Sequence, residues 1–225
     1  MSKRQDMKAL TLSVLGADYA LTKTDIGSDA RLSRKGFVFE TEVYEAAGLG
    51  HLCFLRMSAL LGLMKMETAV IAAREKDLPL LNLDWVKAMG KETQIAELYD
   101  VQLVPYPAAA QAEFEAVKAR DEALPEPETR PHWYDAILLP CSYHKSGRGF
   151  SACLNEAARG YLQIYAAQLK NAAPCDSREK SVKIRGFAET LFAQGGPAVD
   201  MFRKLFGEDV ARRMILGYMY GVELT

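Results

Sequence analysis

The chain is poor in the residues from which metal, redox and covalent centres are usually built. Its 225 residues include four cysteines and three histidines. Cys53, Cys141, Cys153 and Cys175 show no CxxC spacing, and Cys53 and Cys153 lie in apolar or helical runs where free cysteine packs as a small hydrophobe. A reducing, cytoplasmic setting is expected. His132, Cys141 and His144 fall within thirteen residues, but Cys141-x-x-His144 is half of a zinc site and the remaining histidine is His51, so no metal is expected. Excess charge is also missing. The net charge of −1 gives no basic field for nucleic acid. The longest nearly apolar run, Leu52–Leu63, is broken by Arg56 and falls far short of the roughly 20 residues that span a bilayer. Asp6 and Lys8 likewise interrupt any apolar stretch at the start, so no signal peptide or membrane partner is expected. Ser146-Gly147-Arg148-Gly149 matches neither a Walker loop nor a dinucleotide fingerprint.

What remains is ordinary globular usage, 49% hydrophobic and 25% charged, enough for one domain over residues 1–225 with a large core. Apolar spacing suggests a first helix over 7–22, and a turn follows at Asp25–Asp29. The alternating run Phe37–Tyr44 reads as a strand with one wetter face. Leu52–Ala59, Leu63–Ala72, Leu80–Ala88 and Thr93–Leu103 recur at intervals near those of an antiparallel meander, although Leu52–Leu63 also fits a helix. Ala108–Arg120 is expected to be helical, and the proline-rich 124–131 a connector. Trp133–Pro140 is a further strand candidate, and Ser142–Gly149 reads as a polar loop. Helical periodicity then covers Ala152–Leu169, Val182–Phe192 and Met201–Tyr220, starting the last region at Pro197 or Asp200 and breaking it at Gly207. Strands followed by helices predict an α+β domain, with an antiparallel sheet sandwiched between helices in three layers.

The residue that stands out chemically is Asp84, in the apolar segment Asp77-Leu78-Pro79-Leu80-Leu81-Asn82-Leu83-Asp84. A carboxylate away from water is costly unless it is paired, protonated or working. Its structural alternative is to cap a turn or pair with Lys87. The pattern D-L-P, four residues, then Asp, together with Gly196-Pro197-Ala198 and Phe202-Arg203-Lys204-Leu205-Phe206-Gly207-Glu208, resembles the ferredoxin-dependent bilin reductases. The order of matches runs over roughly residues 35–220, with the specific ones confined to these two segments. The resemblance implies a central antiparallel sheet with helices on both faces and a linear tetrapyrrole held between the sheet and the C-terminal helices. It also implies ferredoxin as electron donor and no tightly bound cofactor. Asp84 falls on the family's proton-donating aspartate.

The departures are equally informative. Where many members carry a histidine on the preceding strand, counting back from Pro79 gives Glu67, and the acid before Pro-Ala is Gly196 here. An upstream glutamate used by some members has no clear counterpart near Leu55–Met57. Asp84 and Glu67 are therefore the expected proton sources, with a solvated strand residue as the alternative for Glu67. Arg56, Arg203 and Lys204 are candidate partners for tetrapyrrole propionates, and His144 is expected with His132 at the mouth of the pocket. Arg56 would otherwise satisfy an internal carboxylate, and Arg203 or Lys204 simply face water. Two functions follow: reduction of a linear tetrapyrrole or related open-chain pigment, or non-catalytic binding of a haem-derived molecule by the same fold.

Overall fold

The computed structural model describes residues 6–16, 18–128 and 131–224. Its framework is one antiparallel sheet of eight strands: β1 (Leu21–Thr24), β2 (Arg31–Arg34), β3 (Phe37–Ala46), β4 (Gly50–Ala59), β5 (Met64–Ala73), β6 (Leu80–Ala88), β7 (Lys91–Tyr99) and β8 (Tyr143–Gly147). The order is β1-β3-β4-β5-β6-β7-β8, with β2 alongside the first half of β3 and β1 alongside its second half. From β3 to β7 the chain simply meanders. Tight turns make this register: Met89-Gly90 between β6 and β7 both take positive φ, 50° and 81°, as a two-residue hairpin demands.

Period-2 alternation divides the core in two. On one face Leu52, Phe54, Ile71, Leu81, Leu83 and Leu98 pack against α1 (Met7–Leu15), α2 (Ala108–Arg120) and α3 (Ser151–Asn171). On the other, Cys53, Leu55, Val70, Leu80 and Tyr99 meet α4 (Ser177–Gln194), α5 (Pro197–Phe206), α6 (Glu208–Arg212) and the wider turns of Arg213–Met219. The three-layer α+β architecture is thus as expected from the order of strands and helices.

Some boundaries move. The first helix ends at Leu15, and the stretch after it becomes β1 because Leu21–Thr24 pairs with Val43–Ala46. Leu52–Ala59 is strand rather than helix, inside a β4 paired on both sides. Thr93–Leu103 ends as a strand at Tyr99. Trp133–Pro140 is no strand: Trp133–Ile137 forms a 3₁₀ turn, closed where the Asp135 carboxylate accepts from the His132 amide at 2.9 Å. Conversely, the polar Ser142–Gly149 supplies β8. A strand this polar is stable because Ser146 and Thr93 share a 2.9 Å hydroxyl contact and the buried Lys145 ammonium reaches Glu126 at 3.2 Å. Pro197 is the first residue of α5, where its missing N–H is harmless, and Gly207 ends that helix with φ 89°.

The helical layer over the second face is fixed by one buried cation. Lys180 of α4 has no exposed surface, and its ammonium donates to Asp77 Oδ1 (3.0 Å), Leu78 O (2.7 Å) and Val101 O (2.9 Å). All three donors are used, as burial of a lysine requires. Asp77 in turn accepts from the amides of Leu103 and Val104. The D-L-P segment therefore owes its aspartate to α4, which it ties to the entry of β6 and the exit of β7. Lys180→Ala leaves Asp77 and two carbonyls without their donor, and is expected to cost about 3–5 kcal/mol. A denaturant titration with an unchanged m-value would register it as a lowered midpoint.

Candidate functional site

Between the second face of the sheet and α5 lies a cavity of about 410 Å³. Alternation determines its floor. On β6, Leu81, Leu83 and Trp85 enter the α3 core, so Asn82, Asp84 and Val86 face the cavity. On β5 the same parity brings Thr68, and on β7 it brings Ile95, Glu97 and Tyr99. Gly196, Pro197, Ala198 and Met201 form the roof with Tyr134 and Tyr220. Five of the nine methionines, Met57, Met64, Met66, Met201 and Met219, line the walls.

The polar floor is one connected network. Thr68 donates its hydroxyl to Asp84 Oδ1, and Asn82 Nδ2 donates to Asp84 Oδ2 at 2.7 Å. The same amide nitrogen lies 3.5 Å from Glu97 Oε2, which accepts from the Tyr99 hydroxyl at 2.5 Å. Glu97 Oε1 lies 3.1 Å from His144 Nε2, on β8. Both carboxylates thus sit on adjacent strands with Asn82 between them. Burial pushes the Asp84 carboxyl up to about 6. The Glu97 charge adds to that rise, while hydrogen bonds from Thr68 and Asn82 and the proximity of His144 oppose it. Asn82 Oδ1, itself buried, has no partner. A ligand presenting an N–H would satisfy it.

The residues expected at a site are dispersed. Asp84 and His144 come together through Glu97. Glu67 does not join them: Thr68 stands opposite Asp84 in the β5–β6 register, and Glu67, one residue away, points to the other face, where it accepts from the Met7 amide at 2.9 Å. A one-residue offset in a strand reverses the face. Arg56 lies on that same far side, directly across from Glu67 and ion-paired with Asp6 at the start of α1. Arg203 forms a bidentate pair with Glu208 (2.8 and 3.0 Å) and lies 4.3 Å above the Phe192 ring, and Lys204 is exposed. No lysine or arginine is among the described residues lining the cavity. Cys141 packs in the α3 core with its thiol pushed up to about 11 by burial, on the side of the sheet away from His144. Lys87 pairs with Glu92 rather than Asp84.

Thr68, Asn82, Glu97 and Tyr99 are the site residues that sequence inspection missed. The signal for Glu97 was present: it is an acid inside the apolar run Ile95–Tyr99, as odd as Asp84 and two positions from a tyrosine of the same parity.

No protein-family model and no curated protein matches this sequence. Among solved structures, the crystal structure of phytochromobilin synthase from tomato in complex with biliverdin matches with a TM-score of 0.76. The match covers 96% of this chain and 82% of that one, at 13% identity. The chain therefore has the fold of a phytochromobilin synthase, the three-layer architecture that its resemblance to bilin reductases implied. Gly196, at the position where that resemblance leads one to expect an acid, forms part of the cavity roof, and a Cβ there would lie 3.1 Å from Leu191 Cδ1. A side chain there would require Leu191 to move by a few tenths of an ångström.

The Asp84 environment predicts a specific pH dependence. A carboxyl raised from its ordinary value to about 6 binds more protons folded than unfolded, so stability falls as pH rises between those values and the loss is complete above about 6. Asp84→Asn removes this penalty. Thermal melts should show the variant stabilised at pH 8 by up to about 3 kcal/mol, with little difference from the native protein near pH 4.

Proposed function

We propose that the protein binds a linear tetrapyrrole of the bilin class in this cavity and reduces it, with Asp84 as the proton donor and a ferredoxin-type iron–sulfur protein as the one-electron donor. The observation that carries the reading is the acidic floor: Asp84, Asn82 and Glu97 together offer acceptors, one of them unpartnered, beneath apolar methionine and tyrosine walls. Such a floor suits a flat conjugated ligand whose ring N–H groups need acceptors. A carboxyl poised near pH 6 holds a proton under mildly acidic conditions and retains a useful fraction near neutrality, as a general acid must. The fold shared with a protein crystallised with biliverdin, and the position of the cavity between sheet and C-terminal helices, support the same ligand class. With no cation along the described walls, the ligand's propionates would lie at the mouth, toward water.

A second reading is binding without reduction. It is favoured by Thr68, a hydroxyl with no acid–base role of its own near neutral pH, as the residue opposite Asp84, and by a glycine rather than an acid at 196 in the roof. An absorption titration with biliverdin, followed by anaerobic addition of reduced ferredoxin, separates the two. Reduction is expected to move the pigment band after a stoichiometric binding shift. Asp84→Asn should still bind while turnover falls about a hundredfold or more. A binding shift that persists unchanged under reductant would establish a carrier, and no shift with biliverdin would remove the bilin reading.

A further inference from the structure

Reduction of one conjugated double bond consumes two electrons and two protons, and Asp84 holds one proton. Its hydrogen-bond partners are a threonine hydroxyl and an asparagine amide, and a ligand seated on the floor covers it. Neither partner is an acid able to resupply it near neutral pH. The adjacent strand offers a different route. Glu97 is buried against the cavity, yet its Oε1 lies 3.1 Å from an imidazole whose side chain is 30% exposed. That imidazole, His144, sits on β8 at the edge of the sheet, with solvent beyond it.

We propose that Glu97 and His144 form a second proton-delivery pair, His144 taking protons from water and Glu97 passing them to the bound ligand. This rests on the reading of the cavity as a pigment-reducing site. The groups facing Glu97 define the pair. Asp84 approaches from β6, Tyr99 from its own strand, His144 from β8, Tyr134 from the 3₁₀ turn and Tyr220 from the C-terminal segment. The tyrosine hydroxyls are pushed far above their ordinary range by burial, so none of them resupplies a proton near neutral pH. Of the five groups, only His144 takes on positive charge. Its ring can relay a proton between water and the Glu97 side chain that it touches, which lines the cavity. Tyr99 fixes the other Glu97 oxygen, holding the carboxylate between cavity and edge.

A first electron from the iron–sulfur donor and the proton of Asp84 convert the pigment to a neutral radical. A second electron and the proton passed from His144 through Glu97 complete the dihydro product. Two equivalents of reduced donor are oxidised, and one new bond to hydrogen forms in each half. His144 regains its proton from water while the ligand is still bound, and Asp84 regains its own when the product leaves.

Single-turnover reduction of the biliverdin complex, followed anaerobically by absorption and electron paramagnetic resonance, tests this directly. Wild type should show a short-lived radical. In Glu97→Gln and His144→Ala the radical, once formed, should decay about a hundredfold more slowly. Added imidazole should restore decay in His144→Ala, in proportion to its protonated fraction, which a merely structural role would not produce. Asp84→Asn should block radical protonation instead. Native radical decay in both folded, pigment-binding variants, or decay in His144→Ala that ignores imidazole, would overturn the pair while leaving the reductase reading intact. A wild-type protein that binds biliverdin but never reduces it would overturn both.

Discussion

The site depends on a single buried ammonium. Lys180 joins α4 to the D-L-P segment and to the chain leaving β7, and α4 in turn carries Leu191, which lines the cavity, and Phe187, whose ring packs against Tyr99. Burying a lysine is costly, and the compensation here is complete only when two separate chain segments, Asp77-Leu78 and the chain at Val101, converge on its three N–H groups. That requirement sets how the C-terminal helices approach the sheet. At the same end of the sheet a second polar clasp holds the C-terminal segment: buried His51 contacts Tyr218 O at 2.8 Å, and Arg74 donates to Gly221 O.

The floor works because antiparallel strands place like parities side by side. Asp84 and Glu97 are thirteen positions apart in sequence, yet the β6–β7 register puts Asn82 directly opposite Glu97 and so between the two acids. The amide donates to both. Two carboxylates in an apolar cavity would repel strongly if both were ionised and bare. One shared donor and a tyrosine hydroxyl relieve that repulsion, and the elevated Asp84 proton affinity is what remains of it together with burial.

Much of the architecture was legible in the chain because its cause was local. Alternation, glycine hairpins and the Pro197 and Gly207 boundaries mark the meander and the helices directly. Asp84 was legible as a carboxylate where hydrophobic alternation leaves no water. Glu67 was not separable from Thr68 by counting, since the face of a strand residue follows from pairing register, and register is set by partners elsewhere in the chain. Arg56 posed the question of its counter-charge correctly, but the answer, Asp6, lies fifty residues away on a helix cap. β8 was hidden for a related reason. Its polarity imitates a loop, and only the hydroxyl and ammonium partners that it meets on neighbouring segments make it a strand. His144 reaches Glu97 as a consequence of that hidden strand.

The methionine walls bear on molecular discrimination. Unbranched thioether side chains have several low-energy shapes and polarisable sulfur, so a cavity lined by five of them conforms to an occupant rather than imposing an outline on it. Rejection of wrong molecules then falls to the floor, where an occupant without N–H donors would leave the Asn82 carbonyl stranded. Isomers of one pigment that differ in substituents or ring twist would be admitted with similar affinity, whereas equally flat hydrocarbons would be refused. The pocket is permissive in shape and strict in hydrogen bonding.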